Sequence, residues 1–124
     1  MDAETAKAVI RRYFDRLLNE RDVSVCDELL APEYVDHDAP PDTPAGPDST
    51  KAFVSMFLDE YPDLHVQVVD ILAEGHNMAA RIIWQGTQRH TGAPLHQMGI
   101  IMLHLNEHGQ FVERWSGYTT LTQA

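Results

Sequence analysis

The chain has 124 residues, of which 44% are hydrophobic and 23% are charged, as is usual for a folded globular domain. Its formal net charge is −10, from 19 acidic and 9 basic side chains, and this negative field argues against nucleic acid or a membrane surface as partner. We expect a single domain over residues 1–124.

The first half of the chain has helical periodicity. Apolar residues recur at one-face spacing over residues 3–19, with Asp2 as the N-cap, and predict the first helix. A shorter apolar stripe over residues 22–31, ended by Pro32, predicts the second. After a loop containing four prolines, a third helix is predicted to run over residues 48–60, capped by Asp48 or Ser49.

Beyond residue 62 the period changes from 3.6 to 2, which is typical of strands. The alternation predicts strands starting near Leu64 and Met78 and then over residues 95–105 and 111–120, with a bulge near Val69. Helices followed by a strand meander favour an α+β fold. We predict a curved antiparallel sheet that packs against three N-terminal helices and encloses an apolar pocket.

Asp36, His37 and Asp38 lie just before the proline-rich loop. A carboxylate beside an imidazole can act as an acid/base pair. In an extended segment Asp36 and Asp38 share one side and His37 faces the other. We predict Asp36 as a pocket residue and His37 as a second catalytic candidate; the alternative is a solvated turn with capping carboxylates.

The last predicted strand carries a second polar cluster. Glu113 and Trp115 share one face, and Arg114, Ser116 and Tyr118 share the other. An aromatic wall beside a carboxylate or hydroxyl can bind and polarise a carbonyl compound. The alternative is that Trp115 is plain core and that Glu113 forms an ion pair with Arg81 or Arg114.

The histidines give no metal site. His96 and His104 share a strand face but lie about 26 Å apart at the strand rise, too far to bind one metal ion. His96 is predicted as a single pocket acid or base, with an interfacial histidine as the alternative. The large apolar side chains are most simply core, but some must line a hollow; the substrate-binding candidates are Tyr13, Tyr34, Phe57, Trp84, Met98, Trp115 and Tyr118.

These elements and segments resemble the cone-shaped fold of nuclear transport factor two and, more narrowly, the SnoaL-like polyketide cyclase family. The residues that carry the resemblance are Tyr13-Phe14, Gly86-Thr87 and the segments 29–37, 91–94 and 109–115. The resemblance implies a cone with an internal pocket, an aspartate with a histidine partner as acid/base, an intramolecular aldol closure and no cofactor. Here Asp36, His37, His96 or Glu113 would supply that chemistry.

The leading hypothesis is a cofactor-independent enzyme, an aldol cyclase or isomerase, acting on a small apolar carbonyl compound. One alternative is a non-catalytic binding or dimerisation module of the same fold. Another is an epoxide hydrolase, with Arg81 as the strand-interior guanidinium. A homodimer through the sheet face is also expected, with Ile101, Leu103 and Leu105 offering apolar area.

The remaining signals concern location. The amino terminus lacks the basic and apolar regions of a signal peptide, and no apolar run approaches the ~20 residues that span a bilayer. The lone Cys26 lies in an apolar helical stripe and is predicted to be structural. These features predict a cytoplasmic protein.

Overall fold

The computed structural model describes residues 2–121, which form three α-helices and one five-stranded sheet. The predicted α+β class, with a curved sheet against three helices, is confirmed. No helix in this part of the chain is long and apolar enough to cross a membrane. The elements are α1 (Ala3–Phe14), a π-helical turn (Asp15–Asn19), α2 (Val25–Leu29), β1 (Leu30–Asp36), α3 (Pro47–Glu60), β2 (His65–Glu74), β3 (Asn77–Thr87), β4 (Pro94–Leu105) and β5 (Phe111–Thr120).

The strand order in the sheet is β1-β5-β4-β3-β2. The last four strands are antiparallel, as predicted, and the predicted bulge lies between Val68 and Asp70. The expectation of a purely antiparallel sheet was wrong at one edge, where β1 pairs with β5 in parallel. The chain passes through α3 and three strands before it returns beside β1, and so long a connection permits parallel pairing.

The first helix begins as predicted and ends differently. The Asp2 carboxylate accepts a hydrogen bond of 2.8 Å from the Thr5 backbone N–H. The predicted α-helix over residues 3–19 changes to π-helical geometry after Phe14. In that turn the Asn19 side chain donates to the Val66 carbonyl and accepts from the Val66 N–H, both at 2.9 Å. Asn19 thereby satisfies backbone groups on the exposed edge of β2.

The second helix is shorter than predicted. Residues 30 and 31 belong to β1 rather than to a helix over 22–31, and Leu30 pairs with Phe111 on β5. Pro32 is tolerated because β1 is an edge strand, where one side of the backbone needs no donor to a neighbour. Pro32 therefore excludes a helix at this point but is accommodated in β1.

The third helix starts one residue before the predicted caps. Pro47 occupies the first turn, and neither Asp48 nor Ser49 acts as the N-cap. That position belongs to Gly46, whose φ of +99° is unfavourable for other residues. The Gly46 N–H donates to the Tyr34 carbonyl at 2.9 Å. This contact fixes the start of α3 against the edge of the sheet.

The two faces of the sheet have different surroundings. The inner face packs against the helices and buries Ile101, Leu103 and Leu105. The expectation that these three residues offer area for a dimer was therefore wrong. On the outer face of β4 and β5 the exposed apolar residues are Ile100 and Met102, about half exposed, and Trp115, 41% exposed.

Cys26 lies on the buried side of α2. It is fully buried, and burial raises the pKa of its thiol to about 11. Because the thiolate is the reactive form, we expect native protein at pH 8 to react with a thiol-specific reagent such as DTNB only as fast as it unfolds. Reaction in urea should release one equivalent of chromophore at once. Rapid labelling of the folded protein would contradict this burial.

Candidate functional site

A cavity of about 630 Å³ lies between the inner face of the sheet and the helices. Its walls come from the sheet, from α1 and its π-helical continuation, from α3 and from the proline-rich loop. The lining residues are Tyr13, Phe14, Leu17, Leu18, Asp36, Asp38, Ala39, Pro40, Thr43, Ser49, Thr50, Ala52, Phe53, Val54, Met56, Phe57, Trp84, Gln97, Arg114, Ser116, Gly117 and Tyr118.

The polar part of the cavity forms where β1 lies beside β5. Asp36 is the register partner of Arg114 in this parallel pair. Asp36 Oδ1 accepts a 3.0 Å hydrogen bond from the Asp38 N–H, and Asp38 Oδ2 accepts one of 2.6 Å from the Ser116 N–H. Each carboxylate keeps one oxygen outside these backbone contacts. Two acceptors and one guanidinium therefore share a cavity whose other walls are largely apolar.

The apolar part is aromatic. Phe53 and Phe57 stack with ring centroids 5.8 Å apart on α3, and Phe57 meets Trp84 edge to face at 5.5 Å. Trp84 in turn contacts the edge of Tyr118 at 6.2 Å. These rings form a continuous wall suited to a flat apolar ligand.

Tyrosine phenols surround the guanidinium. The Arg114 Nη2 donates to the Tyr118 hydroxyl at 2.5 Å. Burial raises the pKa of Tyr34 to about 12 and also raises the pKa values of Tyr13 and Tyr118. Burial opposes the charge of Arg114 and the nearby Asp36 carboxylate favours it; the pKa of the guanidinium stays above its ordinary value. At neutral pH the phenols are uncharged and the guanidinium is positive.

The structure brings five of the predicted site residues together in the wall of the cavity. These are Tyr13, Asp36, Phe57, Trp84 and Tyr118.

Three other predicted residues meet on the opposite face of the sheet. His37 Nε2 lies 2.9 Å from Glu113 Oε2, and the His37 ring stacks on Trp115 with centroids 4.6 Å apart. None of the three lines the cavity. The strand alternation divided β5 as predicted, but Glu113 and Trp115 are on the outer side. Glu113 therefore pairs with His37 rather than with Arg81 or Arg114.

The last three predicted residues also lie outside the cavity lining. His96 and Met98 are on the outer face of β4, and Tyr34 is buried in the core beside the cavity. Arg81, the guanidinium considered for epoxide chemistry, forms a cross-strand ion pair with Asp70 at 2.6 Å. Within residues 2–121 no three His, Cys, Asp or Glu side chains are grouped so that they could hold a metal ion.

Sequence reasoning missed several cavity residues. Asp38 and Arg114 were recognised only as neighbours of the favoured residues, and Gln97 was not considered. The signal was present for Arg114, because it shares a strand face with Ser116 and Tyr118. The α3 contribution from Phe53 and Met56 was assigned to the core, although both are exposed at the cavity.

Comparison with known families agrees with this geometry. The family model for SnoaL-like polyketide cyclases matches residues 8–124. The chain belongs to the SnoaL-like polyketide cyclase family. A comparison with the curated proteins gives no match.

Solved structures share the SnoaL-like fold. TsrD from Streptomyces laurentii is 21% identical, with a TM-score of 0.85 and coverage of 95% of this chain and 90% of that one. IdmH, a putative polyketide cyclase from Streptomyces antibioticus, is 26% identical, with a TM-score of 0.78 and 91% coverage of both chains. AclR, a putative hydroxylase from Streptomyces galilaeus, is 22% identical, with a TM-score of 0.79 and coverage of 95% and 91%. Proteins with different described activities therefore share this fold.

Proposed function

We propose that this SnoaL-like protein is a cofactor-independent acid/base enzyme of the aldol cyclase or isomerase type, acting on a small, largely apolar carbonyl compound. The observation that carries the proposal is the cavity of about 630 Å³ with Asp36 in its wall. A cone filled by its aromatic side chains would instead favour a non-catalytic binding or dimerisation module. A hollow of this size accommodates a small organic molecule.

Asp36 is the proposed base. Its Oδ1 is held by the Asp38 N–H, which orients the carboxylate while leaving lone pairs free to accept a proton. The aromatic wall around Phe57 and Trp84 would hold the apolar body of a substrate against this group. Positioning of substrate and base in one hollow is the main requirement for removing a proton alpha to a carbonyl.

The test is deuterium exchange into 2-tetralone, a bicyclic aromatic ketone. In D₂O at neutral pH, NMR should show that the protein replaces the protons alpha to the carbonyl faster than buffer alone. Tetralin, which has the same rings without the carbonyl, should slow this exchange by competing for the cavity. Binding of 2-tetralone without exchange above the buffer rate would contradict the enzyme and favour the binding module.

A second candidate function is supported by the position of Arg114. Epoxide hydrolysis by a water molecule held between carboxylates and an arginine needs such groups together, and Asp36, Asp38 and Arg114 line one cavity. Styrene oxide in ¹⁸O-labelled water tests this function. Formation of labelled diol above the buffer rate would favour the hydrolase, and unchanged epoxide would exclude it for this compound.

We also propose that two copies pair through the outer face of the sheet. Met102 on β4 is the register partner of Trp115 on β5, and Ile100 lies two residues before Met102 on the same strand. These three exposed apolar side chains form one patch. A patch of this kind on a strongly charged protein fits an interface between copies.

For this interface we expect sedimentation at micromolar concentration to give a dimer for the native chain. Met102→Glu should give a monomer, because each subunit would bring a carboxylate into an apolar contact. The matched control is Met56→Glu, the same change at an exposed residue of α3 on the other side of the sheet. A native monomer, or equal effects of the two substitutions, would contradict the proposed interface.

A further inference from the structure

In the part of the chain that the structure describes, the guanidinium of Arg114 lines the cavity and has neither a carboxylate partner nor, unlike Arg11 and Arg21, a backbone carbonyl to bond to. By contrast, four arginines on the protein surface each pair with a carboxylate: Arg12, Arg16, Arg81 and Arg89. Among residues 2–121, no carboxylate oxygen lies within ion-pair distance of Arg114, and its buried Nε has no hydrogen-bond partner. A charge withdrawn from water without a counter-ion is costly, so this position favours a ligand that brings negative charge.

The neighbours of Arg114 do not supply that charge. The Tyr118 hydroxyl accepts from Arg114 Nη2 and remains a neutral phenol, because burial raises its pKa. Its own proton is not used in that contact and can be donated to a ligand. Asp36, the register partner of Arg114, favours its charge from a distance, but no Asp36 oxygen lies within ion-pair distance of the guanidinium. The cavity therefore holds a positively charged guanidinium and a hydroxyl donor side by side.

Gly99 makes room for this arrangement. It lies opposite Tyr118 in the pairing of β4 with β5. A Cβ atom at this position would lie 2.3 Å from Cε1 of the Tyr118 ring, which is closer than atoms can approach. Gly99 thus lets the ring lie against the sheet, where its hydroxyl meets Arg114. It is a positioning residue for the donor pair.

We propose that Arg114 and Tyr118 bind the substrate oxygen that becomes negatively charged, so that the cavity prefers a carbonyl compound in its enolate form. The inference rests on the proposed function. The C–H bond alpha to the carbonyl breaks and its proton passes to Asp36. The electron pair of that bond forms the new C=C bond, and the carbonyl π pair moves to oxygen. That oxygen then faces a planar cation and a hydroxyl donor, which stabilise it as charge develops.

The probe is benzoylacetone, an aryl 1,3-dicarbonyl compound whose enolate absorbs at longer wavelength than its enol. Titration of the compound with and without excess protein measures the pKa of the bound probe. We expect binding to lower that pKa by about one unit or more, which means that the enolate binds roughly tenfold more tightly than the neutral compound. Arg114→Met should abolish the shift, and Tyr118→Phe should reduce it.

The controls separate charge from folding. Arg89→Met removes an arginine that is paired with Asp59 outside the cavity, and it should keep the native shift. If circular dichroism shows that Arg114→Met is unfolded, Tyr118→Phe decides the question. Asp36→Asn should retain or strengthen enolate binding because it removes a nearby negative charge. An unchanged shift in folded Arg114→Met protein, or in Tyr118→Phe if the former does not fold, would overturn the proposal.

Failure of this inference differs from failure of the proposed function. If Arg114 binds the enolate but 2-tetralone protons do not exchange, the oxyanion site formed by Arg114 and Tyr118 is supported and the proposed acid/base enzyme is contradicted. If exchange depends on Asp36 but keeps its native rate in Arg114→Met, Asp36 is supported as the base and the oxyanion site is contradicted.

Discussion

In Asp36→Asn protein, the exchange of 2-tetralone protons is expected to fall by about 100- to 10,000-fold, the usual contribution of a general base. The substitution keeps the size and shape of the side chain. Its amide oxygen can still accept the hydrogen bond from the Asp38 N–H, which is 3.0 Å long in the native protein. The amide cannot take up the substrate proton, so the loss would report on base chemistry rather than on the loop.

The matched control is Glu113→Gln, the same change of carboxylate to amide on the other face of the sheet. Glu113 pairs with His37 outside the cavity, so its loss should leave the exchange rate within about twofold of the native rate. NMR exchange rates for the two variants, with circular dichroism as a check on folding, give a direct comparison. Full activity of Asp36→Asn, or a large loss in Glu113→Gln alone, would contradict Asp36 as the base.

Phe111→Ala is expected to lower the free energy of unfolding by about 3–5 kcal/mol. Phe111 is fully buried, and its ring contacts Tyr13 edge to face with centroids 5.1 Å apart. It also pairs with Leu30 on β1 and Leu105 on β4, at the point where three strands meet. The substitution therefore opens a void beneath the edge of the cavity and withdraws support from Tyr13.

Urea denaturation measures this loss, and Phe53→Ala is the control. Phe53 is also a phenylalanine, but it is 50% exposed at the cavity, so its truncation should cost about 1 kcal/mol or less. The same control should weaken binding of 2-tetralone, because it removes part of the aromatic wall. Equal destabilisation by the two substitutions would contradict the assignment of Phe111 to the core.

The sequence predicted local structure well where side-chain periodicity is strong. The last strand, over residues 111–120, has the predicted bounds, and the bulge near Val69 is present. The prediction was wrong at residues 30 and 31 because the same apolar pair suits either the end of a helix or the start of a strand. Only pairing with Phe111 decides between them.

The candidate site, too, was predicted only in part. Alternation alone placed Arg114, Ser116 and Tyr118 on one face of β5 and Glu113 with Trp115 on the other, because strand side chains alternate by geometry. It could not say which face the helices would cover. That choice depends on the burial of distant residues such as Ile10 and Phe14 against the inner face.

The amino-acid sequence by itself determined the order of elements and the residues that share a face, since both follow from backbone periods of 3.6 and 2. Only the tertiary structure decided that β1 lies parallel to β5 and so sets Asp36 beside Arg114, 78 residues away in the chain. Contacts between residues so far apart are fixed by packing and strand register, which no local pattern encodes.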